Sequence, residues 1–144
     1  MPDTSIDFNK TNLNSFKLEN QKKLKVWLAD FIAKEGYKID HINYIFCSDK
    51  YLISLNKKYL DHDTYTDIIT FDYSEKKKFI YGEIYISVER VKANAKKYKV
   101  AFLNELHRVM IHGVLHLLGY DDKTSKQKSE MRDKEDYYLS KIDF

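Results

Sequence analysis

Two histidines four residues apart are the residues of this chain whose type and spacing best suit chemistry. His112 and His116 lie in the run HGVLHLLGYDD, which covers residues 112–122. On a helix, side chains four positions apart share a face and project in the same direction. Two imidazoles placed in this way can both reach one metal ion, at bond lengths of about 2.0–2.1 Å. The spacing therefore indicates a metal site.

The sequence around this pair is apolar except for one polar stripe. Residues 102–118 are mostly apolar, and the polar residues that point to one side are spaced three, four and four apart: Glu105, Arg108, His112 and His116. Because unpaired polar groups are costly inside a protein, a metal, a polar cleft or a partner carboxylate must satisfy this stripe. Ordinary hydrogen bonds often satisfy buried histidines, so the pair alone leaves a structural interpretation open.

A glycine after the helix allows a candidate third ligand to approach the histidines. Gly119 allows the chain to leave the helix and fold back, which would bring Asp121 or Asp122 toward the histidines. Two histidines, one carboxylate and open positions suit catalytic zinc, and they equally suit non-haem Fe(II). The single cysteine, Cys47, excludes a multi-cysteine zinc site. Gly113 stands where a metalloprotease of the His-Glu-x-x-His type has its general base, which disfavours that class.

The other three histidines are expected to lie outside the site. His107 falls on the opposite side of the helix from the polar stripe, so we expect it to be structural. His41 and His62 are expected on the surface.

The elements that must position the histidines follow from hydrophobic periodicity. Helices are predicted over 18–35, after Ser48, from Ser87 through Tyr98, over 102–118, and from a capping box at 124–127 to Leu139. Strands are predicted over 5–9, 39–47, 67–73 and 79–86, with the last two joined as a hairpin or as near neighbours. Strands come early and helices dominate late. This order predicts an α+β fold in which a small mixed sheet of about four strands is covered by helices. The metal site is expected at the end of a buried central helix.

Length and composition limit the classes of protein to which this chain can belong. The 144 residues predict a single domain, 1–144, and one large enough to bury a core. The 25 basic and 22 acidic residues leave a net charge of +3, which permits nucleic-acid binding without arguing for it. The first residues lack the pattern of a secretory signal, and no apolar run is long enough to span a membrane. We therefore expect a cytoplasmic protein with no membrane partner.

The quoted residues resemble the YbeY family of single-strand-specific metallo-endoribonucleases, which are rRNA maturation factors. The family signature HGxLHLxGYDH is similar to residues 112–122. Residues 66–71, TDIITF, resemble the family's TDVLSF, and residues 82–84, GEI, resemble its GDI. These blocks occur in the family's order, and the resemblance covers about residues 40–140.

The resemblance implies an enzyme that hydrolyses phosphodiester bonds of single-stranded RNA, in maturation of the 16S rRNA 3′ end and in ribosome quality control. It implies one divalent metal, Zn²⁺ first, with Fe²⁺ or Ni²⁺ as alternatives. The metal ligands that it implies are His112, His116 and Asp122. The implied partners are small-subunit rRNA, the ribosome and ribosomal proteins. The general base stays open: Asp121 and Glu105 are the candidates, and Arg108 is a further candidate assistant.

Two positions depart from the family pattern. The third ligand is usually a histidine, and here Asp122 occupies that position, with Asp121 as the competing carboxylate. Carboxylate oxygen also binds zinc, at about 2.0–2.2 Å, so the change is compatible with a site. After Tyr59 the family commonly has an arginine, and this chain has Leu60. The candidates to replace its positive charge are Lys57, Lys58 and Arg108.

Two other function classes stay open at this stage. One is a non-catalytic ribosome assembly factor whose metal is structural. The other is a metallohydrolase that acts on a substrate other than RNA. The sequence leaves the oligomeric state open.

Overall fold

A computed structural model describes residues 5–13, 15–60 and 66–144, with the side chain of Leu60 left out. Within these residues, the chain forms four strands and five helices. In order they are β1 (Ile6–Lys10), α1 (Gln21–Lys34), β2 (Lys38–Cys47), α2 (Asp49–Leu60), β3 (Ile68–Asp72), β4 (Phe79–Ser87), α3 (Val88–Tyr98), α4 (Phe102–Leu117) and α5 (Ser125–Leu139). Each predicted helix and strand is present.

One predicted boundary is wrong. The first helix was expected from residue 18, but α1 begins at Gln21. Asn20 has a φ of 60°, in the left-handed region, so a right-handed helix cannot run through it. Leu18 is nevertheless buried in the main core, which explains why the apolar pattern extends beyond the helix.

The four strands form one mixed sheet in the order β1–β2–β4–β3. The pairs β1–β2 and β2–β4 are parallel, and β3 pairs antiparallel with β4. Thr70 lies opposite Ile84 in this last pair, so the predicted pairing of the two strands is confirmed. Parallel neighbours need crossover connections, and α1 and α2 lie in the segments that make them.

The helices divide unequally between the two faces of the sheet. On one face, α1, α3, α4 and α5 pack with alternate residues of β2 and β4, including Tyr44 and Ile84, in one large core. The Tyr44 hydroxyl donates to the backbone oxygen of Met110 at 2.9 Å, which ties β2 to α4. On the other face, α2 packs through Leu52 against Cys47 and Ile69 in a smaller cluster. The expected mixed sheet covered by helices is therefore confirmed.

The central helix α4 approaches the sheet very closely. A Cβ added at Gly113 would lie 2.8 Å from Cγ2 of Ile84 and 2.9 Å from Cδ1 of Ile68. A side chain at this position would push α4 away from β3 and β4. Glycine therefore lets the helix sit against the strands, and this packing places the neighbouring His112 at the β3 side of the molecule.

Two helix starts show the predicted capping. The hydroxyl of Ser87 accepts a hydrogen bond from the backbone N–H of Arg90 and caps α3. Thr124 and Gln127 form a reciprocal capping box at the start of α5. Among the described helices, none is long and apolar enough to cross a membrane.

Candidate metal centre

The last two turns of α4 bring His112 and His116 together. Their Nε2 atoms lie 3.1 Å apart. Oδ2 of Asp122 lies 3.3 Å from Nε2 of His112 and 3.6 Å from Nε2 of His116. All three side chains are half-buried. Two nitrogens and one oxygen thus converge on a single point at the end of the helix.

These separations fit one metal ion. Two donors bound at 2.0–2.2 Å and at a tetrahedral angle lie about 3.4 Å apart, and the observed distances bracket that value. Within the part of the chain that the structure describes, these residues form the one group of three histidine, cysteine or acidic donors close enough to share an ion. Three protein donors leave room for water or substrate in a further position.

A glycine turn directs Asp122 back toward the histidines. Gly119 has a φ of +100°, and its N–H donates to the oxygen of His116 at 3.0 Å. The N–H of Tyr120 donates to the oxygen of Leu115, also at 3.0 Å, which completes a Schellman motif. Such a motif reverses the chain at the helix end, because the left-handed residue cannot continue the helix. Residues 121 and 122 therefore return over the last turn of α4.

The two adjacent aspartates have different roles in this turn. The Oδ1 atom of Asp121 accepts a hydrogen bond from the backbone N–H of Asp122 at 3.0 Å. This bond stabilises the local turn. The carboxylate of Asp122 instead contacts both imidazoles. The geometry therefore groups Asp122, and not Asp121, with the two histidines.

A glutamate on α5 orients the first histidine. Nδ1 of His112 donates to Oε2 of Glu135 at 2.7 Å, and the Glu135 side chain is 7% exposed. This bond leaves the Nε2 lone pair pointed at the shared site, as in many carboxylate–histidine–metal arrangements. Arg108 contacts the other oxygen of Glu135 at 3.0 Å and also donates to Asp136 at 2.7 Å.

The surroundings shift the pKa values of the two imidazoles in opposite directions. Burial by itself would lower the pKa of His112, but the hydrogen bond and charge of Glu135 outweigh burial and raise it. Burial lowers the pKa of His116, and the neighbouring His112 lowers it further. His116 is thus readily neutral, which is the form that binds metal.

A cleft of about 660 Å³ opens beside this group of side chains. His112 and Asp122 form part of its wall. Its other charged residues are mixed in sign: Asp67, Glu105, Arg108, Lys128, Arg132 and Glu135. A polyanion could therefore find cations on the α5 side of the cleft, near the candidate metal position.

Two carboxylates in the cleft have raised pKa values. Burial raises the pKa of Asp67, although the neighbouring His112 partly opposes this effect. Burial also raises the pKa of Glu105, and the negative charge of Asp67 adds to it. Both groups therefore hold a proton more readily than an exposed carboxylate does.

Comparison with known proteins decides the family. The family described as Endoribonuclease YbeY matches residues 5–143 of this chain. The chain belongs to the endoribonuclease YbeY family. A relative from Cytophaga hutchinsonii, named Endoribonuclease YbeY, is 50% identical over 140 residues, which cover 97% of each protein. A second relative with that name, from Amoebophilus asiaticus, is 53% identical over 124 residues, covering 86% of this chain and 84% of the relative.

A solved structure supports the YbeY fold. The solution structure of TM1509 from Thermotoga maritima superimposes with a TM-score of 0.66 at 32% sequence identity. The match covers 94% of this chain and 87% of that protein. The α+β class expected from the sequence is therefore shown by the described elements and by a solved relative of similar fold.

Two of the remaining histidines, His41 and His107, lie away from the candidate metal centre. His107 is buried between the rings of Trp27 and Phe144, at centroid distances of 5.9 and 6.1 Å. Burial lowers its pKa, which agrees with the expected structural role. His41 lies 3.2 Å from Asp7 with its side chain 39% exposed, as expected for a surface residue. His62 lies outside the described residues.

Sequence reasoning missed Glu135 and gave Asp67 no role. A signal for Glu135 was present, because it follows Met131 by four residues and precedes Tyr138 by three, on the buried side of α5. A carboxylate on a buried stripe needs a partner. Asp67 lies in the second YbeY-like sequence block, but its place in the cleft depends on how β3 docks beside α4.

The structure shows where the three cations lie that are candidates to replace the arginine missing after Tyr59. The side chain of Leu60 lies outside the described part of the structure. Among the cations considered as substitutes, Lys57 and Lys58 are exposed on the last turn of α2, and Arg108 lines the cleft.

Proposed function

We propose that this chain is a metal-dependent endoribonuclease that hydrolyses phosphodiester bonds of single-stranded RNA. The observation that carries the proposal is the convergence of His112, His116 and Asp122 at one wall of a cleft that also holds cations. The relatives from C. hutchinsonii and A. asiaticus are named as endoribonucleases and match most of the chain.

His112, His116 and Asp122 would hold one divalent ion. We propose Zn²⁺ as this ion, with Fe²⁺ or Ni²⁺ as alternatives, because two imidazoles and one carboxylate accept each of them. When bound, such an ion supplies a Lewis acid for the phosphate and activates water for hydrolysis. Glu135 keeps His112 in the orientation that presents Nε2 to the ion.

The residues around the ion would bind the substrate and move protons. Arg132 and Lys128 offer positive charge to RNA phosphates at the α5 side of the cleft. Arg108 lines the same cleft, but it is held by Glu135 and Asp136, so we assign it to orientation of the site. Of the two candidates for the general base, Glu105 lines the cleft, whereas one oxygen of Asp121 is engaged in the turn. We therefore favour Glu105.

The biological setting is a further part of this proposal. An endoribonuclease of this family acts, in our proposal, on small-subunit rRNA at the 16S 3′ end, in contact with the ribosome and its proteins. We propose that it works as one domain, 1–144. We place it in the cytoplasm, because cysteines there usually stay reduced, as the buried Cys47 does.

Cleavage of RNA by purified protein tests the function. The wild-type protein, loaded with Zn²⁺, should cut a single-stranded RNA and leave the same sequence intact as a duplex. His116→Ala should keep its fold, lose its metal and lose cleavage. His41→Ala is the matched control, since His41 is exposed, and it should cut at the wild-type rate.

Other outcomes would assign other functions. If His116→Ala binds RNA normally but melts at a lower temperature, and the wild type cuts no RNA, the metal is structural and the protein is a binding factor. If the wild type hydrolyses a different class of substrate and no RNA, it is another kind of metallohydrolase. Wild-type cleavage by His116→Ala would contradict the assignment of the site.

A further inference from the structure

The face of the sheet that carries α2 also carries a continuous row of aromatic rings. Neighbouring ring centroids lie 5.5–6.5 Å apart along β3, β4 and α2. We call this row the aromatic ladder, and its members are Tyr51, Tyr59, Phe71, Tyr73, Tyr81 and Tyr85.

Strand register explains why the rings share one face. Phe71 lies opposite Glu83, and Ile69 lies opposite Tyr85. The N–H of Tyr73 donates to the oxygen of Tyr81 at 2.8 Å, which continues the same alternation past the end of β3. Because side chains alternate between faces along a strand, these residues point away from α4 and the main core.

The ladder is covered at one end and open at the other. Helix α2 packs over the covered end, where Tyr51 and Tyr85 are half-buried. The open end exposes 43% of Tyr73 and 42% of Tyr81, and Tyr59 at the margin of α2 is 56% exposed. Core packing therefore does not account for the rings at the open end. A contiguous exposed aromatic surface of this kind marks a site of interaction.

Charges around the ladder favour an anionic occupant. Lys57 and Lys58 end α2, with Nζ of Lys58 5.2 Å from the ring centroid of Tyr59. Lys76 and Lys77 lie in the connection between β3 and β4, near the acidic Asp72, Glu75 and Glu83. Nζ of the adjacent Lys78 lies 4.3 Å from the ring centroid of Tyr37, which packs with the main core, so Lys78 does not belong to the surroundings of the ladder. Glu83 accepts a hydrogen bond from the Tyr73 hydroxyl at 2.8 Å. The other four lysines outnumber these three carboxylates, so the charge around the rings is positive.

We propose that the aromatic ladder is a stacking surface for single-stranded RNA. Aromatic rings with nearby cations bind unpaired bases through their faces and phosphates through charge, with little dependence on sequence. The identity of the occupant rests on the proposed endoribonuclease function. An RNA strand held on the ladder would be presented to the candidate metal centre.

Strand β3 links the ladder to the cleft. Asp67 lines the cleft and directly precedes β3, and Tyr73 at the open end of the ladder follows six residues later. At about 3.3 Å per residue, this part of the chain spans roughly 20 Å. A few nucleotides of extended RNA cover such a distance, so one strand can occupy the ladder and the cleft together.

Binding of a non-cleavable RNA tests the ladder. The probe is a labelled single-stranded phosphorothioate RNA of about 12 nucleotides, within the usual site size of such surfaces, and the readout is fluorescence anisotropy. Tyr73→Leu combined with Tyr81→Leu should weaken binding roughly tenfold for each ring removed. The matched control, Tyr73→Phe with Tyr81→Phe, keeps both rings and should bind within about twofold of wild type. Tyr137→Leu, at an exposed tyrosine on α5, should also bind normally.

A charge variant covers the case in which the leucine variant folds poorly. Lys58→Gln with Lys77→Gln should lower the slope of log affinity against log salt by up to about 1.4, since each phosphate contact on a single strand contributes about 0.7. RNA binding by the ladder would be refuted if the leucine variant bound the probe as tightly as wild type. It would also be refuted if the charge variant kept the wild-type salt slope. Loss of self-association in the leucine variant, with RNA binding intact, would also overturn it by identifying a second copy of the chain as the occupant.

Cleavage of a very short RNA separates this inference from the proposed function. A substrate too short to reach the ladder should be cut by the leucine variant at the wild-type rate, whereas the KM for a long single strand should rise. If the wild type cuts no RNA but binds it through Tyr73 and Tyr81, the ladder stands and the proposed function fails. If the leucine variant cuts and binds long RNA normally, the ladder fails and the function stands.

Discussion

His112 and Glu135 are joined by a hydrogen bond of 2.7 Å between Nδ1 and Oε2, across 23 residues of sequence. The bond connects the candidate metal centre on α4 to α5. Arg108, also on α4, contacts the second oxygen of the same carboxylate. The orientation of His112 therefore depends on how α5 docks against α4, and not on α4 alone.

Glu135→Gln is expected to weaken metal binding. The substitution keeps the shape of the side chain but removes the charge that favours the Nδ1–H form of His112. Loss of such a supporting carboxylate typically lowers metal affinity by about 10–100-fold. Competition with a chromophoric chelator measures the Zn²⁺ affinity. The matched control is Asp136→Asn, which removes the other partner of Arg108 without touching His112; an equal loss in both variants would refute a specific role for Glu135.

Asp122→Ala should reduce metal retention much more than Asp121→Ala. The first variant removes the carboxylate that lies 3.3 Å from His112, whereas the second removes a hydrogen bond within the turn. Removal of a direct ligand should exceed the loss seen for supporting residues, at more than about 100-fold. Metal content after dialysis, measured by elemental analysis, checks this ranking. The reverse order would make Asp121 the third ligand.

Glu35 joins three parts of the chain near the candidate metal centre. Its carboxylate accepts hydrogen bonds from Tyr120 at 2.8 Å, from Lys134 at 2.9 Å and from the hydroxyl of Tyr138. Tyr120 precedes the aspartate turn, and the other two donors are on α5. Burial would raise the pKa of Glu35, but these donors outweigh burial and lower it.

Glu35→Gln should destabilise the fold in a pH-dependent way. At pH 7 we expect a loss of about 1–3 kcal/mol in the free energy of unfolding, because three donors, among them the buried Tyr138, lose a charged acceptor. Since the folded pKa lies below the ordinary value of 4.5, this stabilisation is present above that value and is lost as the pH falls through the folded pKa. Urea unfolding at pH 7 and at about pH 3 should show the difference shrinking in acid. Glu130→Gln, at an exposed position of α5, should show no such difference; a constant gap for Glu35→Gln would contradict the prediction.

Gly113→Ala should destabilise the protein although alanine is the better helix former. The new Cβ would lie within 3.0 Å of both Ile84 and Ile68. Overpacking of this kind costs about 1–3 kcal/mol, which exceeds the gain of about 1 kcal/mol in helix propensity. Thermal and urea unfolding measure the effect. Ser129→Ala, at an exposed position of α5, should be neutral or slightly stabilising, and a stabilised Gly113→Ala would show that α4 does not approach the sheet so closely.

Local features of the fold were predictable because they depend on neighbours in sequence. Helical periodicity predicted α4, and the short polar connection at 74–78 predicted the pairing of β3 with β4. The strand order β1–β2–β4–β3 was not predicted. Parallel strands pair across long crossovers, and the apolar pattern of a strand does not name its neighbour. For the same reason, the placement of α2 on the face opposite the other helices was not foreseen.

The sequence by itself determined that His112 and His116 share one face of a helix, since a spacing of four residues does so on any helix. It also determined that the chain turns at Gly119, where a φ of +100° favours glycine. Only the tertiary structure decided that Asp122 faces the histidines, that Glu135 supports His112, and that the rings of the ladder lie together. Each of these contacts joins separate elements or depends on the path of a turn, so packing and not spacing sets the distance.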